Sequence, residues 1–268
     1  MQYSSIPLLY YPMKGILICG GLGTRLRPLS EVTNKSLLPV YDQPLIFYPL
    51  QILLHAGITD IMVITGPEHI DHITKFLGSG SRWNCKFTYR VQDEPKGIAQ
   101  ALGMAEEFAA GDSVCAILGD NIYFDQLAPT IRNFQGGSQI FLKAVPDAKR
   151  FGVAEIQGDQ VISIEEKPEQ PRSNLAMTGC YVCDNQCFTF IRNLQPSARG
   201  ELEITDMLKG YMQQGRLKAT ILQDEWIDAG TIESLYKASS MVRERKLQAH
   251  QTTVQQTADA VQQQAPTQ

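Results

Sequence analysis

The chain has 268 residues, enough for one large α/β domain with a substantial core or for two small ones. Its hydrophobic content of 43% and charged content of 19% describe a soluble globular protein. A net charge of −4 argues against broad sequence-independent nucleic-acid binding, which needs a basic surface, but leaves room for a local cationic pocket.

The first twelve residues, MQYSSIPLLYYP, lack a basic n-region, a long apolar stretch and a small-residue cleavage site, so they do not read as a signal peptide. Residues 1–12 are expected to be an N-terminal extension of a domain spanning 13–246. Gly15 to Cys19 reads as a buried strand that breaks into Gly20-Gly21-Leu22-Gly23-Thr24 and delivers Arg25, Arg27 and Lys35. Glycines let a turning backbone aim N–H groups at a close ligand, and the cations favour a multiply charged anion. An ordinary strand-to-helix turn with solvated basic residues fits the same pattern. Pro44 and Gly57 bracket a helix that Pro49 shortens or kinks. A second strand at 60–65, a helix around EHIDHITKFL, a third strand at 86–91, the polar turn Gln92–Gly97 and the helix IAQALGMAEEFAA follow.

A fourth strand, Val114 to Leu118, ends in Gly119-Asp120-Asn121, before a helix at LAPTIRNF and a strand at QIFLKAV. Alternating strands and helices predict an α/β fold: a Rossmann-like, mixed, mainly parallel sheet with helices on both faces. Ligands of such sheets bind beyond the carboxyl ends of the strands, where the Gly20–Lys35 loop, the Gln92–Gly97 turn and Gly119-Asp120-Asn121 converge. From Phe151 onward a hairpin turning at Gly158-Asp159, a strand at 176–183, a helix at about 203–213, a strand at 218–222, Trp226 to Thr231 and a final helix are expected. This half reads as a smaller β-rich, sugar-facing lobe of the same domain. Residues 247–268, rich in Gln, Thr and Ala, are expected to be a flexible tail, with a weak helix added to its predecessor as the alternative.

The loop lacks the GxxxxGK(S/T) of a P-loop, and Leu26 stands where the third glycine of GxGxxG belongs. No acid follows the second strand, so hydride transfer is disfavoured. Asp120 and Asp228 each follow an apolar run; they read either as turn-forming residues or as holders of Mg²⁺, which takes one or two carboxylates plus substrate phosphates. Lys167 reads as a surface lysine or as part of the same chemistry. His69 and His72 have no third ligand in view and read as helix-face residues; Cys180, Cys183 and Cys187 have no nearby His. The six cysteines, mostly in apolar runs, suit free thiols in a reducing, cytoplasmic setting, and no run reaches the ~20 residues that would span a bilayer.

GGLGTRLRP, NKSLLP, Gln92 with Gly97-Ile98-Ala99-Gln100-Ala101, Leu118 to Asn121, Arg150 to Val153, Glu165 to Pro168, Thr178-Gly179, Arg199 to Asp206 and Trp226 to Thr231 occur in order. Over residues 13–245 they resemble the sugar-1-phosphate nucleotidyltransferases, and most of all the short-form branch that joins dTTP to glucose 1-phosphate. The resemblance implies dTDP-glucose and pyrophosphate as products, a Mg²⁺ cofactor, a supply role in dTDP-deoxysugar synthesis, and a homo-oligomer (dimer or tetramer). It implies that Gly20, Gly21, Gly23 and Thr24 wrap the triphosphate and that Arg25 and Lys35 neutralise the departing pyrophosphate. Asp120 and Asp228 would hold Mg²⁺, Lys167 and Arg199 the sugar phosphate, and Gln92 and Gly97 the base. Asn121, Gly152, Glu166 and Met177 would meet the hexose. Phe151 replaces a Tyr common in its block and Met177 a smaller aliphatic residue, which loosens the expectation for the sugar. The same chemistry with UTP or another hexose 1-phosphate is the alternative, and a nucleotide-sugar-sensing homologue without activity is a third reading.

Overall fold

A computed structural model describes residues 12–263, so the extension expected over residues 1–12 lies, except for Pro12, outside the described residues. The chain enters on β1 (Met13–Cys19), whose residues from Gly15 onward are buried. Next come a short ribbon of β2 (Pro39–Val40) and β3 (Gln43–Pro44), α1 (Phe47–His55), β4 (Asp60–Thr65), α2 (Ile70–Leu77) and β5 (Lys86–Val91). After these come α3 (Ile98–Gly103), α4 (Glu106–Ala109), β6 (Ser113–Leu118), β7 (Asn121–Tyr123), α5 (Ala128–Arg132) and β8 (Ser138–Ala144). The hairpin of β9 (Gly152–Gln157) and β10 (Gln160–Glu166) precedes β11 (Leu175–Cys183), α6 (Gln186–Arg192) and α7 (Ile204–Gln213). The chain closes with β12 (Leu217–Ile221), β13 (Trp226–Asp228) and α8 (Ile232–Gln263).

Nine strands form one sheet in the order β5-β4-β1-β6-β11-β8-β12-β10-β9. The first four are parallel, as the alternation of strands and helices requires. Successive residues of a strand point to opposite faces, and the two cores follow that rule. Ile16, Ile18, Met62 and Ile64 pack with Ala99 and Leu102 of α3 and with Leu208 and Tyr211 of α7. Leu17, Cys19, Ile61 and Val63 pack on the other face with Leu50 and Leu53 of α1 and with Ile73 and Leu77 of α2. A third cluster, including Leu26, Leu38, Ile122, Ile227, Ala229 and Leu235, lies between the ribbon β7–β13 and α8.

Several elements differ from the sequence reading. α1 starts at Phe47 rather than Pro44, because Pro44 is spent on the ribbon with Pro39. The helix expected after Gly97 is two helices broken at Met104-Ala105, where Gly103 packs too closely on Ile191 to admit a Cβ freely. β8 is not the fifth parallel neighbour: β11 inserts antiparallel between β6 and β8. The β-rich half, read as a lobe of the same domain, does extend the main sheet, and β9 returns to pair with β11 at Val153–Ala176. The Gln-rich stretch from residue 247, expected to be flexible, continues α8 as helix to Gln263. Gln and Ala are good helix formers and no Gly or Pro interrupts Ile232–Gln263.

Phe141 on β8 is fully enclosed in the second core. Phe141→Ala is expected to cost about 3–5 kcal/mol in urea unfolding, the range for emptying a buried aromatic site. A loss under about 1 kcal/mol would contradict that placement.

Candidate active site

The loop after β1 is shaped by its own polar groups. Gly21 and Gly23 take φ of 89° and 59°, and the Gly23 carbonyl accepts a hydrogen bond from Ser30 Oγ at 2.8 Å. Buried Asn34 donates to the Cys19 carbonyl at 3.1 Å and accepts from the Ser36 amide at 2.9 Å, which caps the turn Lys35–Leu37 against the end of β1. Leu26 inserts into the third core beside Ile227 and Ala229, and this anchors Arg25 next to β13. A Cβ on Gly230 would come within 2.9 Å of both Arg25 Nη2 and Asp228 Oδ1, so that glycine keeps cation and carboxylate together.

Two clefts open at the carboxyl ends of the parallel strands. One, of about 230 Å³, takes in Gly20, Gly21, Lys35, Gln92, Gly97 and Asp120. The other, of about 400 Å³, takes in Arg25, Asp120, Asn121, Gly152, Glu166, Lys167, Met177 and Asp228. Asp120 belongs to both and stands at their junction. Of the remaining expected residues, Gly23 and Thr24 form the turn behind the first cleft and line neither. Arg199 lines neither: its guanidinium is held by Glu201 at 2.9 Å, Glu166 at 3.2 Å and Glu203 at 3.6 Å.

Backbone pairing brings the two acids together. β7 and β13 pair antiparallel with Asn121 opposite Asp228, and the Ala229 amide donates to the Asp120 carbonyl at 2.9 Å. Lys35 is ion-paired with Asp120 Oδ2, and Asn121 Nδ2 donates to Oδ1 at 2.9 Å. Burial favours the neutral acid at Asp120, but the Lys35 ammonium and the Asn121 donor outweigh it and hold the carboxyl below its ordinary value. At Asp228 burial and then the Asp120 charge push the carboxyl up, against the weaker pull of Lys35 and Arg25. Burial works against the charged form of Lys35 too, yet Asp120 raises its affinity for the proton. Glu166 is raised by burial and by Glu203.

In the first cleft, Gly20 leaves room for Gln92, since a Cβ there would sit 2.6 Å from Gln92 Oε1. Gln92 Nε2 donates to Gln100 Oε1 at 2.7 Å, and the same oxygen accepts from the Lys96 amide at 3.0 Å. Gly97, with φ of 106°, lies so close to Leu202 that a Cβ would collide with its carbonyl oxygen. In the second cleft, Lys167 holds a left-handed φ of 41° directly before Pro168 and donates its amide to the Phe151 carbonyl at 3.1 Å. Such a conformation in a non-glycine residue costs on the order of 1–3 kcal/mol and persists where the surroundings enforce it.

Residue patterns alone had not singled out Arg150, Thr178, Gly179 and Trp226 of the second cleft, Glu201 of the first, or Gln100 behind Gln92. Arg150 was visible only as part of a quoted block, and Trp226 only as the apolar neighbour of an acid. Thr178, Gly179 and Trp226 are placed by strand pairing, and Gln100, Arg150 and Glu201 by the turns and the helix beside the clefts.

The nucleotidyl transferase family profile matches residues 14–245, which carry every one of these groups. The chain belongs to the nucleotidyl transferase family. The transferase is 45% identical to glucose-1-phosphate thymidylyltransferase of Neisseria meningitidis over 238 residues, 86% of this chain and 83% of the relative. It is 41% identical to the enzyme of that name from Mycobacterium tuberculosis, over 86% of this chain and 82% of the relative. Among solved structures, a Bacillus anthracis chain assigned to glucose-1-phosphate thymidylyltransferase and crystallised with sucrose superposes with a TM-score of 0.82. It is 48% identical, with 86% of this chain and 95% of that chain covered. A UDP-glucose pyrophosphorylase, at 24% identity and a TM-score of 0.76, shares the fold.

Asp228→Asn removes a half-buried charge that faces Asp120. The variant is expected to melt above the wild type at pH 7, by up to a few degrees on the scale of ordinary surface-to-core charge changes. A fall in Tm at neutral pH would contradict the like-charge arrangement.

Proposed function

We propose that this transferase condenses dTTP with glucose 1-phosphate to give dTDP-glucose and pyrophosphate by direct displacement. The observation that carries the reading is the meeting of two clefts at Asp120, one suited to a nucleotide and one to a sugar phosphate. An oxygen of the sugar phosphate forms a bond to the α-phosphorus, the bond from that phosphorus to the α–β bridging oxygen breaks, and its electron pair leaves with pyrophosphate. A phosphate monoester is largely dianionic at pH 7, its second pKa being about 6, so the attack needs no general base. What it needs is alignment and charge neutralisation between two anions.

The chain supplies these from named groups. Backbone amides of the loop at Gly20 and Gly21 would face the triphosphate, with Gly23 and Thr24 shaping the turn behind them, and Arg25 and Lys35 would take the growing charge on the β- and γ-phosphates. Lys167 and Arg150 offer cations to the incoming phosphate in the second cleft. Arg199 can join them only by leaving its three carboxylates. Gln92, oriented by Gln100, and the Gly97 backbone would read the base edge. Glu166, Gly152, Asn121 and Met177 border the hexose, with Phe151 and Trp226 packed edge to face behind it at 5.2 Å between centroids.

The donor set fits Mg²⁺: two carboxylates, buried Asp120 and half-buried Asp228, with room for phosphate oxygens to complete a hard-ligand shell. Bound there, the ion would screen the two substrates from each other and polarise the α-phosphate. Among the described residues no cluster of three or more His, Cys, Asp or Glu could hold a metal, so the substrates would supply the remaining ligands. A supply role in dTDP-deoxysugar synthesis, a homo-oligomeric state and a cytoplasmic location complete the reading. Six free cysteines support the location, and among the described residues no helix is long and apolar enough to cross a membrane.

Pyrophosphate release with Mg²⁺ across dTTP, UTP, CTP and ATP against a panel of hexose 1-phosphates tests the assignment. The pair dTTP and glucose 1-phosphate should have the highest kcat/KM. UTP should trail by about 10- to 200-fold at most, since the bases differ by one methyl worth roughly 1–3 kcal/mol. No release with any pair would refute the reading. Asp120→Asn should lower kcat by at least about 100-fold, the scale for losing one electrostatic element of a displacement site. Near-normal turnover would remove Asp120 from the chemistry.

A further inference from the structure

Asn121 borders the second cleft, yet it is 2% exposed, and its amide oxygen and one of its two Nδ2 hydrogens are taken by the protein itself. Its Oδ1 accepts from Trp226 Nε1 at 2.7 Å, from the Gly179 amide at 3.1 Å and from the Tyr123 hydroxyl at 3.4 Å. Its Nδ2 donates to Asp120 Oδ1 at 2.9 Å. The partners fix which end is which, because the indole and the backbone amide can only donate and an ionised carboxylate can only accept. Three elements meet at this side chain: β11 through Gly179, β13 through Trp226, and the end of β6 through Asp120. Gly179 has to be glycine for the seat to exist, since a Cβ there would lie 2.9 Å from Asn121 Oδ1 and 2.7 Å from Leu118.

We propose that Asn121 is a positioning residue that fixes the Asp120 carboxylate for its metal. Lys35 holds one oxygen of Asp120 and Asn121 the other, so the carboxylate plane is clamped from both sides. The clamp is braced by Trp226, whose ring also packs on Phe151 in the sugar cleft. A connected line therefore runs from the cleft wall at Phe151, through the Trp226 indole and the Asn121 amide, to the carboxylate at the junction of the clefts. Outer-shell hydrogen bonds of this kind typically set metal affinity by about 10- to 100-fold. The proposal rests on the metal role given to Asp120 under the proposed reaction.

The test uses the full chain, with Mn²⁺ counted by equilibrium dialysis with dTTP present and glucose 1-phosphate withheld, so that nothing turns over, and steady-state kinetics beside it. Asn121→Ala should weaken Mn²⁺ binding about 10- to 100-fold and lower kcat, with KM for glucose 1-phosphate within about threefold of wild type. The Trp226 indole N–H resonance should move upfield in the metal-free variant; Trp83→Phe assigns it, as these are the two tryptophans. A raised KM for the sugar phosphate with unchanged Mn²⁺ binding would make Asn121 a sugar contact and overturn the proposal. An unmoved indole resonance would overturn it as well.

If Asn121→Ala fails to fold, Trp226→Phe leaves Asn121 and Asp120 in place and removes the brace. It should weaken Mn²⁺ binding about 3- to 10-fold, and binding within twofold of wild type would overturn the proposal. Failure of the wild type to release pyrophosphate would refute the reaction separately. The Mn²⁺ and indole measurements need no turnover and would still decide the role of Asn121.

Discussion

The structure turns on two carboxylates, buried Asp120 and half-buried Asp228, held side by side by a backbone ladder. Pairing of β7 with β13 and the bond from the Ala229 amide to the Asp120 carbonyl leave the side chains little freedom to separate. Burial and mutual repulsion would normally drive one of them to protonate, and the upward push on Asp228 shows that tendency. Lys35 and Arg25, delivered by the glycine loop, offset part of the negative charge without cancelling it. A fold that tolerates such an arrangement is poised for added positive charge, and this is why the pair reads as a working site rather than a structural ion pair.

The sheet explains how two substrates could reach that pair. Four parallel strands present the loop after β1 and the turn after β5 on one side of Asp120. The antiparallel insertion of β11 beside β6 then brings Met177, Thr178 and Gly179 to the other side. A fifth parallel strand in that place would have pointed its carboxyl end, and another loop, into the second cleft. The hairpin β9–β10 closes that cleft with Gly152, Glu166 and Lys167, because β9 folds back onto β11 at Val153 and Ala176.

The parallel half of the fold and the cation-bearing loop were legible because each rests on local signals: buried apolar runs, helix periodicity, and glycines before Arg25 and Lys35. The resemblance of the motifs supplied the family, with which the family match agrees, and the roles proposed for the acids rest on that resemblance. Long-range pairing was illegible. Nothing near Asn121 announces that its amide answers Trp226 and Gly179, and nothing near Arg199 announces Glu166 as a partner. The Gln-rich segment allowed two readings, a mobile tail or a helix added to its predecessor, and its helix-forming composition carries α8 on to Gln263.

On this account the two substrates meet across Asp120 and react with each other, with no protein nucleophile between them. The stereochemical course at the α-phosphorus tests that most directly. With dTTP carrying sulfur of one configuration at the α-phosphate, a single in-line displacement should give dTDP-glucose of inverted configuration at phosphorus. Retention would require two displacements through a covalent nucleotidyl-protein species and would contradict the account.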